Sequence, residues 1–414
     1  MVIGIERISR QQLILLVLLT MLAGLFFSRV LLSVSMIVFM GATCFHKKIL
    51  HQIRNCFRQN FFIGLAFLFF IPFISGLWST DLREWLHVVR IKVPLLFLPI
   101  AFAGSWQLSG RQWRTIFYIF LSLVFGGCCW SLWQYAADAV AINENYLKAK
   151  SIPTPFENDH VRYSWVVAVA AAGLIMVVPY FRTLVHRLVL IATAIFFVGY
   201  LHILSARTGL FCLYFFILIY FLHALFRSGE KKVWYVLIIA LFLMPALAWF
   251  SLPTFQNRVR YILYDLSFIK KGVYFPGGND GNRALSIKAG WHTLSRNFFG
   301  VGAGDVRIAA SEWYTANVPG MLPADKLLPS SEWLVYGATA GWAGVAAFTI
   351  IMLLPLVTKI NQQRFAWIAI NSMAALSFLF DIGLEVQFGV FVYTFIVLCC
   401  YKWIGTENKL RVIS

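Results

Sequence analysis

The sequence predicts an all-α polytopic membrane protein of about twelve transmembrane helices, with one large extracytoplasmic loop near residues 252–331. Three observations predict it. Of the 414 residues, 60% are hydrophobic and only 13% charged, against roughly 25% charged in a soluble domain. The apolar residues fall in blocks of roughly 17–25, the length that crosses a hydrocarbon layer about 30 Å thick. The basic residues sit in the short loops between those blocks, as orientation in a bilayer requires. A net charge of +18 therefore reads as membrane topology and argues against a nucleic-acid partner.

In chain order the expected spans are 12–27, 30–45, 61–78, 93–107, 114–135, 163–180, 188–204, 209–226, 233–251, 333–356, 365–380 and 386–404. Arg7 and Arg10 precede the first block and no small-x-small cleavage site follows it, so it is expected to remain as a span and not to leave as a signal peptide. Between residues 188 and 226 the apolar run breaks only at Ser205-Ala206-Arg207-Thr208-Gly209. A charge at mid-bilayer is expensive, so a hairpin is expected there. The chain thus divides into 1–251 (nine spans), 252–331 (the loop) and 332–414 (three spans).

With the N-terminus cytoplasmic, the cytoplasmic segments hold eighteen Lys and Arg, from Arg7 and Arg10 to Lys409 and Arg411, while the short loops on the far side hold eight. That asymmetry predicts a multi-pass protein of the cytoplasmic (inner) membrane with both termini inside and the large loop periplasmic. Of the seven cysteines, all but Cys56 lie in apolar blocks, and none has metal-ligand spacing with a histidine. They form neither a disulfide framework nor a zinc site.

Three outer connections stand out. Residues 79–92 are amphipathic and are expected to lie along the interface. Residues 136–162 carry prolines together with Glu157, Asp159, His160 and Arg162. Residues 252–331 form a connection long enough to be functional. No inverted repeat of the kind many transporters carry is visible.

The chemistry-bearing residues concentrate on that outer side. Arg90, Arg162, Arg207 and Arg283 lie close to expected membrane boundaries. A guanidinium offers a planar fork of donors to phosphate oxygens and stays charged in a partly dry site. An arginine at a boundary also commonly just snorkels. Arg207 departs from that bland reading, because its hairpin is too short to reach far into water. His160 and His292 carry imidazoles suited to general-base work, although neither has a visible orienting partner. Asp381 and Glu385 stand four apart and would share a helical face, where they would line a polar cavity or be solvated loop charges. Gly300-Val301-Gly302-Ala303-Gly304-Asp305 lacks the spacing and strand–turn–helix setting of a nucleotide loop and reads as a tight turn.

In its order of motifs the second half of the chain resembles the bacterial O-antigen ligase and O-antigen polymerase superfamily. The matching pieces are the hairpin Leu204-Ser205-Ala206-Arg207-Thr208-Gly209-Leu210, then Asn282-Arg283 before a helical stretch ending at Trp291, the Gly300–Asp305 turn, and Ser330-Ser331-Glu332-Trp333-Leu334 followed by Gly341-Trp342-Ala343-Gly344. The first half is similar only in its span pattern. The resemblance implies a glycosyltransferase C-type architecture and a polyprenyl-diphosphate-linked glycan donor, transferred to a glycolipid, glycan or protein acceptor. It implies that Arg207 and Arg283 bind the diphosphate, that Arg90 assists, and that Arg162, His160 and Ser330 join the substrate site. No metal or other cofactor is implied. The chain departs from the pattern at Ser330, where ligases of the family carry a histidine, the proposed base. Serine cannot accept a proton at neutral pH. Glu332 and His292 are the replacement candidates; otherwise activation rests on positioning and leaving-group stabilisation, the acceptor differs, or activity is lost. The rival class is a transporter or flippase of a lipid-linked or anionic substrate, and a non-catalytic scaffold is a third.

Overall fold

A computed structural model describes residues 9–227, 231–360 and 363–413. Of the basic residues used above for orientation, Arg7 lies outside the described residues, as do the side chains of Arg227, Lys231, Lys232, Lys409 and Arg411. The described chain is all-helical. Helices α1 (Arg10–Phe27) and α2 (Arg29–Cys44) form a hairpin at Ser28, which caps α2 by accepting from Leu31 N–H. A short α3 (Ile49–Phe57) precedes α4 (Asn60–Ile74), α5 (Leu82–Phe102) and α6 (Gly110–Ala137). After α7 (Ala139–Tyr146) come α8 (His160–Val177), α9 (Leu184–Leu204), α10 (Arg207–Arg227) and α11 (Lys231–Ser251). The region expected as a loop is itself mostly helical, with α12 (Pro253–Lys270), α13 (Asp280–Arg296) and α14 (Val306–Asn317). Three long helices end the chain: α15 (Glu332–Val357), α16 (Arg364–Phe380) and α17 (Gln387–Ile413).

Nine of the described helices are long and apolar enough to cross a membrane, and up to eleven if each of two bent pairs counts as one span. The chain is therefore a multi-pass membrane protein. The bent pairs are α2 with α3, at 106°, and α11 with α12, at 96°. Helix α16 is also apolar but has only 17 residues.

Two local expectations are corrected. Residues 79–92 do not form a separate interfacial segment, because α5 runs unbroken from Leu82, with Asp81 capping it by accepting from Arg83 and Glu84 N–H. A charge inside this helix is tolerated because Lys92 is buried against Glu385, 2.5 Å away. Nor do Asp381 and Glu385 share a helical face. Asp381 follows the end of α16 and Glu385 closes a single 3-10 turn, Gly383–Glu385, in the break between α16 and α17.

The Gly300–Asp305 turn docks into a break in α15. Gly341 adopts φ 67°, a left-handed conformation that suits glycine, and Ala340 beside it is also non-helical. The freed carbonyls of Ala338 and Thr339 accept from Val301 and Gly302 N–H at 2.7 and 3.1 Å. Trp342 N–H donates back to Phe298 O. On its other side the turn is pinned by Asp305, whose carboxylate accepts from Thr80 N–H, Thr80 Oγ and Asp81 N–H at 2.7–3.0 Å. Burial opposes the charged form of Asp305, but these three hydrogen bonds outweigh it and hold the carboxyl below its ordinary range.

Candidate functional site

The site assembles where α8, α10, α12 and α13 meet the α16–α17 connection. Ser205, in the left-handed region at φ 50°, ends α9, and α10 restarts at Arg207. Gly209 brings α10 against α8: its N–H donates to Ser164 Oγ at 3.1 Å, and a Cβ there would lie 2.6 Å from Ser164 Cβ. The start of α10 is thereby fixed beside the start of α8, which carries His160 and Arg162.

Helix α13 is aimed at the same place by Asp265 of α12. The Asp265 carboxylate accepts from Asn279 and Asp280 N–H at 2.8 and 2.7 Å, at the end of the helix where backbone donors are otherwise unpaired. Gly278 and Gly281 leave room for it, since a Cβ at either would lie 2.8 Å from Asp265 Oδ1. Asp280 then forms an ion pair with Arg207. Arg283, nearly one turn on, donates to Phe380 O at 3.2 Å.

Arg207 lies within electrostatic reach of both Arg283 and Arg258. His160 feels Arg258, Arg283 and Arg162. Of the residues expected from the sequence, the fold thus brings together Arg162, His160, Arg207 and Arg283, and it adds Arg258. The counter-charges are unequally shared. Arg207 has Asp280, and Arg162 has Asp159 and Asp381, each at 3.5 Å. Arg283 and Arg258 have no carboxylate within ion-pair distance among the described residues. Arg258 is only 7% exposed; it donates to Lys150 O at 3.0 Å, lies 4.9 Å from the centre of the Tyr146 ring, and keeps a buried Nε without a partner. Buried charges are normally paired. Two arginines held only by carbonyls and a ring, beside a third, make a cluster with an excess of positive charge, which favours an anion.

The floor of this cluster is the α16–α17 connection, whose alternate carbonyls each receive a side chain. Phe378 O accepts from Ser331 Oγ (3.5 Å), Phe380 O from Arg283, Ile382 O from Arg162 (2.9 Å) and Leu384 O from Lys92 (3.1 Å). Glu332, fully buried at the start of α15, holds the same turn from another side, accepting from Leu384 N–H at 2.5 Å, while its second oxygen has no partner. Lys92 lies over the Tyr336 ring at 4.8 Å. Ser330 is buried against Ser286, hydroxyl to hydroxyl at 2.8 Å, one turn of α13 beyond Arg283.

The remaining expected residues lie elsewhere. Arg90 is exposed on α5, and among the described residues no side-chain hydrogen bond or ion pair joins it to the arginine cluster. His292 follows Arg283 by nine residues on α13, which is about 13.5 Å along the axis and half a turn around it, so it faces away from the cluster. Sequence reasoning passed over Arg258 and Lys92. Lys92 carried a usable signal, an ionisable residue beside a long apolar run, but it was placed just outside the span expected to begin at residue 93. Among the described residues no group of three or more His, Cys, Asp or Glu side chains is arranged to hold a metal ion. No family model matches the chain, and no curated protein matches it either.

Proposed function

We propose that the chain is a glycosyltransferase of the inner membrane that moves a glycan from an undecaprenyl-diphosphate donor to an acceptor hydroxyl, as in the O-antigen ligase and polymerase superfamily it resembles. In this reading it has twelve spans, cytoplasmic termini and a periplasmic 252–331 region, and the acceptor is a glycolipid, a glycan or a protein. The observation that carries the proposal is the arginine cluster: Arg258 and Arg283 without carboxylates, beside Arg207. A diphosphate supplies the missing negative charge, and guanidiniums stabilise the charge that develops on it as the sugar departs. Arg162 and Lys92 hold the floor on which Arg283 rests. Glu332, a candidate for the replacement base, holds that floor by accepting from Leu384 N–H.

The alternative, a transporter or flippase of a lipid-linked or anionic substrate, is favoured by one observation. Lys92, Glu385 and Glu332 are ionisable and buried among the helices, where such residues often mark ion pathways. Reconstitution with an undecaprenyl-diphosphate glycan separates the two readings. Transfer liberates free undecaprenyl diphosphate and a glycosylated acceptor. Accumulation of intact donor in the opposite leaflet, with no diphosphate released, overturns the transferase reading.

A further inference from the structure

At the end of the bundle opposite the arginine cluster, a cavity of about 1260 Å³ opens between α6, α8, α10, α16 and α17. Its walls are mostly apolar and aromatic, including Phe117, Val169, Gly173 and Phe365, with Tyr180 and Trp403 among the lining residues. Along α8 and the 3-10 turn that follows it the lining runs from Val169 to Tyr180, eleven residues or roughly 16 Å at about 1.5 Å per residue. That depth is about half of a 30 Å hydrocarbon layer, the reach of the lipid chains of one leaflet.

The charge around the mouth is of one sign. Arg364 lines the cavity, Arg114 follows the lining residue Trp113, and Arg182 lies two residues beyond Tyr180. All three are exposed, and none has a carboxylate within ion-pair distance among the described residues. Acidic residues are scarce at this end. Among the described residues, fourteen Asp and Glu belong to segments at the cluster end and only Glu407, in α17, belongs to a segment here. Basic pockets between spanning helices select anionic lipid headgroups, and aromatic residues at such a rim sit at headgroup level.

We infer that this cavity is a binding site for an anionic phospholipid of the adjacent leaflet, with its chains along α8 and its phosphate among Arg114, Arg182 and Arg364. The site is separate from the arginine cluster and does not depend on the activity proposed there. The test uses the full chain in a neutral detergent, titrated with phosphatidylglycerol or with phosphatidylcholine, following melting temperature and lipid retained in native mass spectra. Phosphatidylglycerol is expected to raise Tm and to stay bound, and phosphatidylcholine to do neither. The exposed-residue variant R182Q/R364Q should weaken phosphatidylglycerol binding at least tenfold while folding normally. Gly173→Phe fills the cavity from α8, where a Cβ would meet nothing nearer than Phe117 at 3.8 Å, and should lose retention with the arginines intact. Equal stabilisation by phosphatidylcholine, full binding by R182Q/R364Q, or closure of the cavity by a second copy at detergent concentrations that strip lipid would each overturn the inference.

Discussion

Replacing Arg283 by alanine is the sharpest test of the proposed diphosphate site. Arg283 is partly exposed, and among the described residues its guanidinium donates only to Phe380 O. A guanidinium has five N–H donors, so most of its fork is open to a substrate. It also has no carboxylate to neutralise it among the described residues. Removing one such donor from a charge-stabilising site typically costs about 10²–10³ in turnover, or about 2.7–4 kcal/mol. Arg283→Ala is expected to fall in that range, measured as undecaprenyl diphosphate released in proteoliposomes at saturating donor. Arg283→Lys keeps the charge but loses the bidentate fork and should fall between the two. Arg162→Ala is the contrasting control. Its side chain holds Ile382 O, Asp159 and Asp381 at once, so its loss should lower folded yield together with turnover. If Arg283→Ala stays within threefold of the parent, or loses activity only in proportion to folded protein, Arg283 does not stabilise the leaving group.

Three further predictions follow from the packing. Lys92→Met leaves Glu385 buried without its partner, a change that costs about 3–5 kcal/mol. Its Tm should drop sharply, and the double variant K92M/E385L should recover most of the loss, which a purely catalytic lysine would not allow. Asp305→Ala removes three hydrogen bonds to residues 80 and 81, so amide hydrogen exchange should rise there and across 300–305, without a general loss of protection. Because the folded-state carboxyl of Asp305 lies below its unfolded value, this anchoring is fully present above the ordinary carboxylate range. It fades as pH falls through the lowered value, so acid should reproduce the exchange pattern in the parent and change little in the variant. Gly341→Ala places a Cβ against Phe298 O at a positive φ, which should destabilise by about 1–3 kcal/mol, read as a lower Tm.

How much of this was legible in the sequence depends on the physics involved. The helical class followed from solvent and block length together, because only helices and closed barrels satisfy the backbone in lipid and continuous apolar blocks of about 20 residues are helix-length. The hairpin at Arg207 was legible because a charge interrupts an otherwise continuous apolar run. The boundary of α5 was not. Lys92 looked like a flank, and only its partner Glu385, almost three hundred residues away, makes that charge admissible inside a helix. Arg258 was equally silent, since no local pattern separates it from Arg260 two residues on. The ring of Tyr146 and the carbonyl of Lys150 that receive it come from a distant segment. The break in α15 has a sequence signal in Gly341, but its reason lies in the turn at 300–302 that occupies the freed carbonyls.

The same long-range contacts bear on how an acceptor hydroxyl would be activated with serine at position 330. Glu332 lies in the middle of the site's scaffolding. It has no solvent exposure, one oxygen is committed to Leu384 N–H, and its neighbours include Lys92, Glu385 and Asp381. Its second oxygen is unpartnered but fully buried, so an incoming acceptor could reach it only if the packing around the Gly383–Glu385 turn opened. That turn continues the segment whose carbonyls hold Arg162 and Arg283. A base that dismantles the clamp as it works is a poor design for transfer. Arg207 and Arg283, by contrast, are partly exposed and stand ready before any rearrangement. Within the proposed reaction, the geometry therefore assigns most of the rate enhancement to leaving-group stabilisation. In that proposal Glu332 supports the floor through Leu384 N–H, and His292 lies about half a turn of α13 away from Arg283.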